Sequence, residues 1–160
     1  MSPADKAKLV IDSSDHMTIA TVDSRGEPWV TPIFYVNDAT YDLFWVSYKE
    51  SAHSKNIDTN PKVAIVIYGP VPPEDKVDAV YIEAAAKKLE DESEVLPAIE
   101  IIAGKIQEDK YMIRSPADVT GNAAWRIYKA TPQAVSKRTE NGEMINGQFV
   151  TTREDVSLLG

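Results

Sequence analysis

The 160-residue chain contains no cysteine, only two histidines and seven glycines. Lack of cysteine excludes disulfides, thiolate nucleophiles, iron–sulfur clusters and thiolate-bound zinc, and is in keeping with a cytoplasmic setting. His16 and His53 are too few for a histidine-built metal centre. No spacing among the 25 acidic residues resembles a calcium loop, so no metal is assigned. The chain also lacks a P-loop, a Gly-X-Gly-X-X-Gly fingerprint, His-Glu-X-X-His and a Gly-X-Ser-X-Gly elbow, which removes the main supports for a nucleotide-binding α/β fold, a zincin or a serine hydrolase. No stretch reaches the ~18 uninterrupted apolar residues of a membrane span, and the opening residues have no signal-peptide-like apolar run.

What is present is an acidic, moderately apolar chain. Acidic residues outnumber basic ones 25 to 17, a formal charge of -8, which argues against recognising a polyanion over the whole surface and hence against a nucleic-acid partner. With 43% hydrophobic residues, the length fits one domain spanning residues 1–160. The expectation is a soluble cytoplasmic protein acting on a small molecule, with no membrane partner.

Ser2 followed by Pro3 predicts a capped opening helix ending near Ser13 and Ser14. Strands are predicted over Met17–Asp23, Trp29–Val36 and Asp42–Tyr48, separated by turn-rich segments and read together as an antiparallel meander. Lys49 to Asn60 predicts a loop entering a short helix, ended by Pro61 before a strand over Lys62–Tyr68. Gly69 to Pro73 reads as a loop because proline supplies no ladder donor. Further strands are predicted over Val77–Ala86 and Ala124–Val135, with a helix from about Glu94 to Glu108 between them and turns at Asn141-Gly142 and Asn146-Gly147. Leu43 and Trp45 alternate with Phe44 and Val46, and Val63, Ile65 and Ile67 alternate with Ala64 and Val66, so both faces of these strands are apolar. Two-sided burial with short connections implies a closed barrel whose wall is covered by helices, a second subunit or both, and a homodimer is expected.

Two segments could carry chemistry. In Ser47-Tyr48-Lys49-Glu50-Ser51-Ala52-His53-Ser54-Lys55-Asn56, hydroxyls and cationic groups crowd the exit of a buried strand, where a phosphate would find charge-assisted donors and the start of a helix. The competing reading is a solvated turn capped by Ser51. In Trp29-Val30-Thr31-Pro32-Ile33, a mid-strand proline marks an edge, a bulge or a place where a flat ligand meets the backbone. Tyr35, Trp45 and Tyr68 read as core or interface aromatics, Trp125 as core and His16 as a surface or helix-end residue.

Taken in order, the strand with Pro32, the strand ending at Trp45-Val46-Ser47, the Ser51-X-His53-X-Lys55-Asn56 segment and Asn60-Pro61-Lys62-Val63 resemble the N-terminal half of the pyridoxamine 5'-phosphate oxidase-like, FMN-binding split-barrel superfamily. The likeness covers residues 13–69. It implies a mostly β fold: a six-stranded antiparallel split barrel with peripheral helices, dimeric, holding FMN at the subunit interface. It further implies that Val30, Thr31, Pro32 and Ile33 line the flavin ring, that Ser47 and Tyr48 approach the ribityl chain, and that Ser51, His53 and Lys55 hold the phosphate. Arg126 is a candidate to reach the ligand across the interface. The implied function is FMN-dependent oxidation or reduction of a small organic substrate. Deazaflavin or haem in the same barrel, or a non-catalytic flavin binder, are the alternatives. The chain departs from pyridoxamine phosphate oxidases proper in carrying Ser51-Ala52-His53 where they carry Ser-Arg-Lys, and in lacking their late Arg-X-His pattern, so that particular oxidation is not implied.

Overall fold

In the computed structural model the described residues are 1–71, 76–106, 113–139 and 142–159. Helix α1 (Pro3–Ser13) starts where the sequence places it: the Ser2 hydroxyl accepts from the Asp5 amide, and the Asp5 carboxylate answers the Ser2 amide, a reciprocal capping box. It is followed by β1 (His16–Val22), β2 (Pro28–Phe34), the short β3 (Val36–Asn37) and β4 (Leu43–Tyr48). Helix α2 (Ala52–Thr59), β5 (Lys62–Val71), β6 (Lys76–Lys88), α3 (Glu92–Lys105), a 3₁₀ turn over Pro116–Asp118 and β7 (Trp125–Arg138) complete the body. The tail forms β8 (Glu143–Ile145), β9 (Gln148–Val150) and β10 (Arg153–Asp155).

The six predicted long strands are all present, and β3, β8, β9 and β10 add to them. Their order corrects one expectation. The sheet runs β2-β1-β5-β6-β7-β4-β3 and every pair is antiparallel, so β4 pairs with β7 and with β3 and does not continue a meander from β2. A second correction concerns Gly69 and Pro70, which continue the β5 ladder opposite Asp78 and Val77 where a loop was expected; Pro72 and Pro73 lie outside the described residues. A proline near the end of a hairpin costs the ladder little, because few bonds remain beyond it. Helix α3 begins at Glu92 and ends at Lys105; Glu108 lies outside the described residues. Asn146 and Gly147 both take positive φ, 51° and 77°, and join β8 to β9 as expected, whereas Asn141 is not among the described residues.

The strand order explains the shape. The two ends of the hydrogen-bonded path, β2 and β3, are separated in the chain by Tyr35 alone, so the sheet has to curl until its rims nearly meet. Tyr35 is buried there, its amide donating to the Asp15 carbonyl at 3.0 Å and its hydroxyl to the Ile11 carbonyl at 2.6 Å. Inside the curl lie Met17, Ile19, Leu43, Trp45, Ile65, Ile67, Ile82 and Tyr128, with Val10 and Ile11 of α1 and Ile57 of α2 packed into the same core. Trp45 and Tyr128, opposite each other on β4 and β7, stack with centroids 5.7 Å apart and planes at 16°. The other faces of β4 and β7 present Phe44 and Ile127, which α3 covers with Val95, Ala98 and Ile102. Both faces of this part of the sheet are therefore buried, as the two-sided apolar pattern requires. β2 is an edge strand, and that position by itself accommodates Pro32.

Candidate functional site

The corner where β4 gives way to α2 is built from local sequence and fixed from outside. Ser47 is the last inward-facing residue of β4, on the same face as Leu43 and Trp45. The chain then turns, the Ser51 amide donating to the Tyr48 carbonyl at 3.0 Å, and enters α2. Asn56 of α2, buried, donates from Nδ2 to Thr21 Oγ1 of β1 at 3.0 Å, which ties the helix to the barrel and sets the direction of its first turn.

That turn gathers the polar groups. His53 Nε2 lies 2.8 Å from Ser47 Oγ and 3.2 Å from Ser51 Oγ, and the Ser51 hydroxyl donates to Ser54 Oγ at 2.8 Å. Although Ser51 occupies the cap position, its side chain makes no capping bond, and among the described residues no other side chain is bonded to the first amides of α2. The capped-turn reading therefore fails in its detail: the hydroxyl serves the histidine and a neighbouring serine. Burial pushes the His53 imidazole below the ordinary histidine range, which keeps it neutral at neutral pH.

The remaining candidates are placed unevenly. Lys55 points to Glu50, Nζ to Oε2 3.2 Å, in an exposed pair beside the corner. Tyr48 is half exposed on the opposite face of β4 from Ser47, its ring 6.3 Å from that of Trp125. Trp125 is 53% exposed, which corrects its assignment to the core, and Tyr68, expected in the core or at an interface, is 63% exposed. Arg126 stands opposite Ser47 in the ladder and is buried, but its guanidinium donates to main-chain carbonyls. On β2, Val30 and Pro32 are exposed, Thr31 is half-buried, and Ile33 packs in the core, so the Ile33 side chain offers nothing to an external ring. His16 is exposed at the start of β1, its Nδ1 2.6 Å from Asp15 Oδ1.

The corner fits a phosphate. Unanswered helix-start amides, two hydroxyls, a histidine and a nearby lysine supply donors of the kinds a phosphate dianion takes. Two residues before Ser47 on the same face of β4, the Trp45 indole Nε1 is buried without a hydrogen-bond partner among the described residues. Among the described residues no group of three potential metal ligands forms a site, and no helix is long and apolar enough to cross a membrane.

The family model described as pyridoxamine 5'-phosphate oxidase matches residues 3–137. No curated protein matches the chain. Among solved structures, a haem-binding protein from Mycobacterium smegmatis superposes with a TM-score of 0.71 at 18% identity, over 97% of this chain and 58% of that one. The haem storage protein HutZ from Vibrio cholerae gives a TM-score of 0.67 at 19% identity, over 84% and 94% of the two chains. An FAD-binding protein from Mesorhizobium loti gives 0.62 at 17%, over 86% and 94%. This chain thus spans little more than half the length of the first of these, and identities this low establish a shared fold.

Proposed function

Because the chain belongs to the pyridoxamine 5'-phosphate oxidase family, we propose that it binds FMN and uses it to oxidise or reduce a small organic molecule. The observation that carries this reading is the β4–α2 corner, where the Ser47–His53–Ser51 cluster faces helix-start amides that no side chain caps. Ser51, His53, Lys55 and the amides hold the phosphate; Ser47 lies next to them toward the ribityl chain, and Val30, Thr31 and Pro32 on the β2 edge meet the ring. Bound FMN supplies hydride and electron transfer, and the protein binds and orients it. A dianion at the corner draws a proton onto His53 by offsetting the burial that keeps the imidazole neutral. The oxidation in the family's name is not carried over, because no Arg-X-His pattern follows Ala124.

A homodimer belongs to the same reading, as does a cytoplasmic address. The sheet face turned away from the core forms an open groove of about 420 Å³, lined by Thr18, Ala20, Val30, Val66 and Tyr81 among others, and a second copy covers it.

Haem is the second reading, favoured by one side chain: exposed His16, with Nδ1 on Asp15, would hold the iron through Nε2, since a carboxylate behind the ring is the arrangement seen at metal-binding histidines. The absorption spectrum of the purified protein, with mass identification of what denaturation releases, decides. Flavin bands and released FMN support the first reading; a Soret band abolished in His16→Ala supports the second; a deazaflavin spectrum overturns both. Turnover of the flavin by NADH or NADPH then separates an enzyme from a storage protein.

A further inference from the structure

Arg126 stands where a ligand-binding cation would be expected, directly across the ladder from Ser47, yet three of its five N–H donors go to main-chain carbonyls. Nη1 reaches the carbonyls of Ala123 at 2.7 Å and Trp125 at 2.8 Å, and Nη2 reaches that of Gly121 at 2.5 Å. The side chain is 6% exposed. A planar guanidinium can serve several carbonyls of one bend at once, which a lysine ammonium on a flexible stem does poorly. The bend it holds includes Gly121 at φ +56° and is braced on its far side by the Ala123 amide donating to the Thr120 carbonyl.

The bend has one further contact. The β4–β7 ladder ends at the Tyr48–Trp125 pair, and the next bond, just past that end, is the Lys49 amide donating to the Ala124 carbonyl at 3.0 Å. Lys49 opens the turn that leads through Ser51 into α2. This bond lies outside the paired register of the strands, at the first residue of the turn.

We propose that Arg126 is a positioning residue: by clamping the carbonyls of Gly121, Ala123 and Trp125 it presents the Ala124 acceptor to Lys49 and so sets the corner that receives a phosphate-ended ligand. It does not touch that ligand. The proposal rests on the FMN reading above and extends it to a residue one strand away.

The test compares the intact protein with Arg126→Lys, Arg126→Gln and Gly121→Ala, the last straining the same bend from its positive-φ end while leaving the guanidinium in place. Titrations with FMN and with riboflavin, which lacks the phosphate, are read by flavin fluorescence, and hydrogen exchange is followed over residues 43–56. All three variants are expected to lose about tenfold in FMN affinity with riboflavin affinity unchanged, and the salt dependence of FMN binding keeps its slope. The Lys49 amide exchanges faster while the β4 ladder amides keep their protection. A merely destabilised protein would shift both ligands and all amides together. FMN affinity retained in Arg126→Lys but lost in Arg126→Gln with a shallower salt slope makes Arg126 a phosphate contact and overturns the proposal, as does a Lys49 amide that exchanges normally in Arg126→Gln. An intact protein that binds FMN no better than riboflavin removes the FMN reading itself, and the clamp's role with it; an intact preference untouched in every variant removes the clamp alone.

Discussion

Ser47 and Arg126 face each other across β4 and β7 and yet turn to opposite tasks, the serine hydroxyl to His53 Nε2 at 2.8 Å and the guanidinium to the carbonyls of its own bend. One closes the polar corner from inside the barrel, and the other fixes the chain on which the corner stands. The predictions below address the corner's charge, its proton and the stability of the sheet beneath.

Lys55 is the exposed cation beside the proposed phosphate corner. Its ammonium is shared with Glu50 at 3.2 Å and well exposed, so it contributes less than a buried phosphate contact would. Lys55→Ala is expected to weaken FMN binding by roughly five- to tenfold, whereas Lys49→Ala stays near the intact protein. Glu50→Gln frees the ammonium and is expected to tighten binding. Isothermal titration measures all three; equal dissociation constants for Lys55→Ala and Lys49→Ala remove Lys55 from the site.

His53 is expected to make FMN binding depend on pH. Its imidazole, held below the ordinary histidine range by burial, is neutral at neutral pH and takes up a proton more readily when a dianion lies beside it. Affinity for FMN is expected to rise as pH falls toward the ordinary histidine range and to decline as pH rises through it. Phosphate titrates near pH ~6 itself, so the comparison is with His53→Gln, which retains only the ligand's own transition. The ligand-free protein shows the reverse trend: because the folded imidazole titrates below its unfolded value, that part of the stability is present above the unfolded range and lost as pH falls through the folded value. Melting curves of both proteins across that window check the sign.

Lys137 is fully buried with its ammonium 3.0 Å from Asp78 Oδ2 and 2.7 Å from the Arg138 carbonyl, in the β6–β7 sheet. Lys137→Met leaves a buried carboxylate without its cation and is expected to cost ~3–5 kcal/mol in urea unfolding. The double replacement Lys137→Met with Asp78→Leu removes both charges and is expected to recover most of that loss. A double variant as unstable as the single one makes the lost bond to the Arg138 carbonyl, and not the unpaired carboxylate, the source.

Much of the architecture is legible in local patterns. The Ser2–Pro3 start of α1, the six long strands, the short α2 and the Asn146-Gly147 turn each depend on neighbours in sequence, and each forms at the place read, with some strand ends displaced. The Ser47, Ser51 and His53 cluster is legible for the same reason, since a few residues of strand and helix bring them together. Strand order is not local: nothing between Asp42 and Tyr48 indicates that β4 pairs with β7, because an apolar alternation fits any partner of like pattern. Nor does alternation reveal where a ladder breaks, so Trp29–Val36 reads as one strand although Tyr35 interrupts it. Trp125 reads as core because a strand tryptophan normally is; it lies at the open end of its pair, where the wall of the barrel stops. Arg126 is recognisable as a candidate, but its work with carbonyls depends on a bend whose course no residue type announces.

Tyr35 carries a consequence of its own. A single residue carries the chain from the strand proposed to meet the flat end of a ligand to the rim that leads, through β4, to its charged end. The connection has no slack, so adding or deleting a residue here forces the next strand either to slip in register, which turns its side chains to the other face, or to pull away from the rim it closes.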